Sequence, residues 1–337
     1  MSYIVQNKSI DDNIQTEGKI LLWGVLLSGA FLFCFAKAIV ALAEAWYNSY
    51  IYSYGFLVPL VSIYIVWGQR KRIKHIQLVP SYLPGLPVLL AGIVLLVIGT
   101  ANGGTSIKGF SIITAITGII LLVSGRQFFK CVWFPIAYLL FMVPFWDNFT
   151  ERLHWPLQIF CAMNGAMLLN LIGIPVYRAS VYLSLPHITL EVAKECSGVN
   201  QLIAIVAMAV PLAYLSLGSW WKRILLIVSG IIIAVASNGL RVALIGVLSY
   251  YGISSVLHGP FHVLEAMSVS ILGYIGLFIV LWILSRGEAH TEVSVQVDNA
   301  VASEINTPSG SYKELIYPFL LSIGILLFVG SYINFYQ

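Results

Sequence analysis

Charge is what this sequence has least of. Only 9% of its 337 residues are Asp, Glu, Lys or Arg, against roughly 25% in soluble domains. That excludes a large solvated surface. With a net charge of only +4, it also excludes a nucleic-acid-binding face. No Gly-rich nucleotide-binding loop occurs, so the chain carries no sign of a nucleotide-driven motor. Cysteine is scarce as well. Cys34, Cys131, Cys161 and Cys196 form no C-x-x-C pair and have no His at zinc spacing. No metal and no cofactor is therefore expected. Segment 1–19 is polar, with Asp11, Asp12 and Glu17. It lacks the basic start and cleavage site of a secretory leader, so 20–43 reads as a retained anchor. No internal repeat is visible.

What the chain has is apolar length. It is 59% hydrophobic, with a mean hydropathy of +0.90. A spanning helix needs about 20 mostly apolar residues. Nine stretches qualify: 20–43, 53–69, 82–100, 109–125, 128–145, 198–217, 222–249, 262–285 and 315–335. The basic residues sort them. Arg70 to Lys74, Arg126 and Lys130, Lys222-Arg223, Arg286 and Lys313 all fall on one side if the N-terminus is cytoplasmic and 146–195 stays outside. That arrangement requires 153–172, interrupted by Pro156, Gln158 and Asn164, to be an interfacial or re-entrant helix. Residues 175–192 are rich in β-branched and aromatic side chains and predict a β-hairpin turning at Pro186-His187. Residues 286–312 are polar and aperiodic and predict a flexible linker.

The expectation is an all-α polytopic membrane protein. It has about nine transmembrane helices, an extracytoplasmic re-entrant or interfacial helix and a short β-hairpin. Its parts are a cytoplasmic tail (1–19), a transmembrane domain (20–285) with extracytoplasmic region 146–195, a cytoplasmic linker (286–313) and an accessory helix (314–337).

Three residues with chemical potential sit where apolar segments begin or end. Cys196 lies in Glu195-Cys196-Ser197-Gly198, Arg241 in Asn238-Gly239-Leu240-Arg241 and His262 in Gly259-Pro260-Phe261-His262. Cys196 and Arg241 are each about 20 residues from the turn at 218–221, roughly 30 Å along their helices. Topology thus brings them to one depth, and His262 opens the next span at the same face. Each alone has an ordinary explanation: a packing thiol, a snorkelling cation, an interfacial polar residue. Together they supply a nucleophile, a fixed positive charge and a proton shuttle for covalent acyl transfer. Ser197, Asn238, Glu195 and His258 are possible supporting residues. His258 lies four positions before His262 and competes with it. The small residues from Gly230 to Ala236 offer a place for a foreign helix to approach closely.

The ordered set Cys196-Ser197-Gly198, Asn238-x-x-Arg241 and Gly259-x-Phe261-His262 resembles the three blocks of the exosortase/archaeosortase family. These are polytopic cysteine transpeptidases. Tyr52 to Pro59 and Gly173 to Arg178 resemble further family segments, so the likeness covers roughly 40–285. Tyr54 stands where the family often carries His. The resemblance implies that exported proteins with a C-terminal sorting signal and transmembrane anchor are the substrates. It also implies an acyl-enzyme on Cys196, and it selects His262 over His258. A lipid or glycan would be the acceptor. Two other functions fit the same residues: a membrane cysteine protease using water, and a transporter using Lys37, Glu44, Arg241 and Glu265 as pathway charges.

Overall fold

Long apolar runs fold into helices here because a backbone removed from water must pair within its own segment. The computed structural model describes residues 2–49, 51–145, 147–252, 260–286 and 312–336. Side chains are described within these ranges except at 2–17, 147–149, 195, 260–269, 312–315 and 335–336. In chain order the elements are α1 (Ser2–Asn48), α2 (Leu57–Gly68), α3 (Arg70–Ile73), α4 (Tyr82–Ala101), α5 (Thr105–Val123) and α6 (Gly125–Tyr138). Then come α7 (Asp147–Leu171), β1 (Tyr177–Ala179), β2 (Tyr182–Ser184), β3 (Thr189–Glu191), α8 (Val199–Ser216), α9 (Trp220–Tyr250), α10 (Pro260–Ser285) and α11 (Tyr312–Tyr336).

Among the described residues, six helices are long and apolar enough to cross a membrane: Gly18–Asn48, Tyr82–Ala101, Thr105–Val123, Val199–Ser216, Trp220–Tyr250 and Ile316–Asn334. The expected nine are not all confirmed among them. The stretch 53–69 opens with a 3-10 turn, Ser53–Phe56, and leaves α2 only 12 residues. That is about 18 Å of helix against a hydrocarbon core of about 30 Å. The stretch 128–145 divides into α6, a second 3-10 turn (Leu139–Met142) and extended Val143. In the stretch 262–285, only Ser270–Ser285 of α10 is described as an apolar helix.

The chain divides into two compact units, Met1–Pro144 with Val297–Gln337, and Phe145–Gln296. In the first, α4 and α5 form a tight pair. A Cβ added to Gly85 would lie 2.5 Å from the Leu122 backbone, and one added to Gly118 would lie 2.4 Å from the Leu89 backbone. Gly85, Gly92 and Gly99 recur every seven residues on one face, which is small-residue packing of membrane helices. The final helix α11 packs along α1. The Lys37 ammonium donates to Ile333 O in its last turn (2.8 Å), a favourable place for a cation. Asn334 Nδ2 donates to Phe33 O (2.8 Å). An apolar cavity of about 510 Å³ is lined by residues including Leu42, Trp46, Ile112 and Val132. The hydroxyl on its wall, Ser62, donates to Pro135 O (2.7 Å).

In the second unit α9 packs against α7, α8 and α10. Its buried stripe runs Leu226, Gly230, Ala234, Ser237, Arg241, spaced by three or four residues as one helix face requires. Gly230 faces Ile205, Leu277 and Ala209 and Ala234 is fully buried. Gly230 and Ala234 are thus taken up by the chain's own core, whereas Ala236 is exposed. Of the expected re-entrant or interfacial segment, residues 153–171 lie within one continuous helix, α7, which does not turn back on itself. Pro156 does not break it. The expected hairpin is a three-stranded antiparallel meander, β1-β2-β3. Pro186-His187 does turn the chain, with Leu185 N–H donating to Ile188 O (2.8 Å). The extra turn falls at Ser180, held at φ 57°. A non-glycine residue there carries little sequence signal. The linker 286–313 lies almost wholly outside the described residues.

Candidate functional site

The site grows from the segment between β3 and α8. Val192 N–H donates to Val181 O (3.0 Å), prolonging the sheet. The chain then makes one 3-10 turn, Lys194–Cys196. Gly198 follows at φ +81° and Leu202 N–H donates back to Gly198 O (2.9 Å), starting α8. Only glycine suits position 198. The backbone is left-handed, and a Cβ would lie 2.8 Å from Asn238 Cγ.

Two helices hold this turn from the inside. On α7, His154, Gln158 and Cys161 fall at i, i+4 and i+7, one face of the helix. Gln158 Nε2 donates to Val192 O (2.9 Å). His154 Nδ1 hydrogen-bonds Ser197 Oγ (2.7 Å). The Cys161 thiol donates to Ser197 O (3.5 Å). On α9, Asn238 Nδ2 donates to Cys196 O (2.7 Å) and to Cys161 Sγ (3.1 Å). His154, Ser197 and Asn238 are 7%, 2% and 1% exposed, so water cannot replace these partners. A buried polar group left unpaired costs about 1–3 kcal/mol, which makes the network selective for this one turn conformation. Outside it, the Lys194 ammonium pairs with Glu151. The hydrogen bond from Lys194 holds the Glu151 carboxyl below the usual carboxylate range.

Cys196 and Cys161 are thereby distinguished. Cys34, Cys131 and Cys161 are buried, whereas Cys196 is part-exposed. Burial pushes the Cys161 thiol up in pKa, more than its hydrogen bond from Asn238 lowers it. A thiolate is the nucleophilic form, so burial disfavours Cys161 as a nucleophile. Arg241 sits one turn after Asn238 on the same buried stripe of α9, 9% exposed. A guanidinium so placed is costly to hold, which makes Arg241 a candidate functional residue.

The structure therefore brings Cys196, Ser197 and Asn238 together and sets Arg241 on the adjacent helical turn. The backbone of His262 lies in the first turn of α10. Its side chain, that of Glu195, and all of His258 lie outside the described residues. Sequence reasoning assigned no role to His154 or Cys161. Their signal was the polar triplet at helical spacing inside an apolar helix.

A sequence profile of transmembrane exosortases matches residues 46–282. The chain belongs to the transmembrane exosortase family. The match contains the turn at Cys196, Asn238, Arg241 and His262, and it leaves α11 and most of α1 outside. No curated protein and no solved structure matches the chain. Membership and the apolar helices together make it a multi-pass membrane protein of the protein-sorting class.

Proposed function

We propose that the chain is a membrane-embedded cysteine transpeptidase that cleaves the C-terminal sorting signals of exported proteins and transfers them to an acceptor. The observation that carries this reading is the part-exposed Cys196 thiol on a turn locked by Asn238, with buried Arg241 one helical turn beyond. Cys196 attacks the scissile carbonyl as a thiolate. Arg241 stabilises the oxyanion that forms. The intermediate collapses to a thioester, and the amine of the departing anchor segment takes a proton from His262. An acceptor amine or hydroxyl, on a lipid or glycan, then attacks the thioester and yields its proton to His262. The thiol returns to its starting state. Cys196 also precedes the N-terminus of α8, whose dipole favours a negative sulfur.

In this reading the N-terminus, the linker 286–313 and the basic clusters are cytoplasmic. The site and the sheet face outward, with α7 lying at the interface. The domain from 20 to 285 works as the enzyme, and α11 is accessory to catalysis. The transporter reading loses one of its pathway charges, because Lys37 is engaged with the end of α11.

The test uses the host's own exported proteins that end in a short polar segment, an apolar helix and a basic tail. Their C-terminal peptides are quantified by mass spectrometry. Cys196→Ala should leave the anchors uncleaved, while a Cys34→Ala/Cys131→Ala chain should process them. Normal processing by Cys196→Ala would end the covalent mechanism. A new amide or ester at the cleaved end separates transfer from hydrolysis, which leaves a free carboxylate. A membrane-impermeant thiol reagent reacting from outside with Tyr177→Cys, in a Cys196→Ala background, checks the orientation.

A further inference from the structure

The short sheet has one edge that leads straight to the candidate nucleophile. In an antiparallel pair, residues alternate between turning their N–H and C=O toward the partner and turning them away. The strand pairings fix that alternation for β3. Val192 N–H bonds Val181 O at one end, and Leu185 N–H bonds Ile188 O at the other. With Leu183 opposite Leu190 between them, the inward-bonding residues are 188, 190 and 192. Thr189 and Glu191 therefore turn their N–H and C=O groups away from β2. Strand order β1-β2-β3 places nothing beyond β3. Thr189 and Glu191 are both exposed. Among the described residues nothing pairs with their outward backbone groups. On the opposite edge, β1 offers a single such residue, Arg178, far earlier in the chain.

We infer that the outer edge of β3 binds the extended segment of the substrate that precedes its membrane anchor, by adding it as a fourth strand. Four backbone groups, two donors and two acceptors, recognise an extended peptide without regard to side chains. The edge ends at Glu191, and Cys196 follows five positions later on the turn fixed by Gln158, His154 and Asn238. A peptide laid on this edge is carried toward the thiol in a defined register. This inference rests on the cysteine-transpeptidase reading above.

Proline gives the test, because its ring removes a backbone donor and is tolerated where that donor faces out of the sheet. Glu191→Pro deletes an outward N–H and leaves the β2–β3 ladder intact. Glu191→Ala makes the same side-chain loss and keeps the N–H. Uncleaved anchors of the host's exported proteins are measured for both. The expected result is processing up to about tenfold slower in Glu191→Pro than in Glu191→Ala, the loss of one good hydrogen bond. Equal rates overturn the inference. Alkylation of buried Cys161 checks that Glu191→Pro is folded. If that thiol reacts quickly, the decision passes to a second arm. There a photo-crosslinking residue replaces Thr189 in a full-length Cys196→Ala chain. Crosslinked peptides drawn from the segment just before C-terminal anchors support the edge; peptides from elsewhere, or none, overturn it. The control separates the two readings. If Cys196→Ala still processes, the enzymatic reading fails. If it does not, and Glu191→Pro matches Glu191→Ala, only the edge fails.

Discussion

The helix pairs α4–α5 and α7–α9 are built with the same device and put to different ends. Both approach closely through missing side chains. Gly85, Gly92 and Gly118 do this in the first pair. In the second, Gly165 faces Val242, Gly239 faces Asn164 and Gly246 faces Leu169. The first seam is mainly apolar: Leu89, Leu96, Ala115 and Leu122 are buried in it. The second carries His154, Gln158, Cys161, Asn238 and Arg241. An apolar seam tolerates any arrangement that excludes lipid. A polar seam tolerates only the one that pairs every buried group. The second unit thus gives up some packing freedom, and what it holds in return is a single turn bearing one part-exposed thiol.

Substitutions at four positions break or sharpen that contrast, in falling order of effect. Arg241→Ala should lower processing about 10²–10³-fold at equal protein level, the usual cost of a lost oxyanion donor. Arg241→Lys should recover only part of it, since a point charge does not replace the planar fork. Wild-type processing in Arg241→Ala would mean that this cation merely packs. In the first unit, Gly118→Ala should cost about 1–3 kcal/mol by overpacking against Leu89. It should lower thermal stability in detergent while leaving processing per folded molecule unchanged. A fall in turnover per folded molecule would show that the two units are not functionally separate.

His154→Leu should slow processing about tenfold, because Ser197 Oγ loses its buried partner. His154→Asn, whose amide nitrogen can stand near Nδ1, should recover most of the rate; recovery by Leu and Asn alike would reduce His154 to filler. The smallest effect belongs to Glu151→Gln, since its pair with Lys194 is solvent-exposed. The carboxyl is held low in the folded chain, so its contribution exists above the unfolded carboxylate pKa. It is lost as pH falls through the lowered folded value. Glu151→Gln should therefore leave neutral-pH stability nearly unchanged and weaken only the acid-side decline. A large loss at neutral pH would promote this surface pair to a main support of the turn.

The sequence by itself determined that the chain is a membrane protein, because apolar length and scarce charge admit no other solvent. It also determined the level along their helices at which the thiol and the guanidinium lie. Motif order, a turn at 218–221 and a fixed helical rise set Cys196 and Arg241 at one depth. The turn at Pro186-His187 was legible for the same reason, as local chain stiffness. Tertiary structure alone decided the rest. Ser180 makes a second turn against its own preference because the neighbouring strands pair. Segments 53–69 and 128–145 break into shorter helices although their composition would allow spans. His154 and Cys161 acquire meaning only when the face of α7 that carries them meets residues 192–197, some 40 positions away. Hydrophobicity adds up along a chain and can be read there. Hydrogen-bond pairing is a relation between distant residues and exists only once the helices have met.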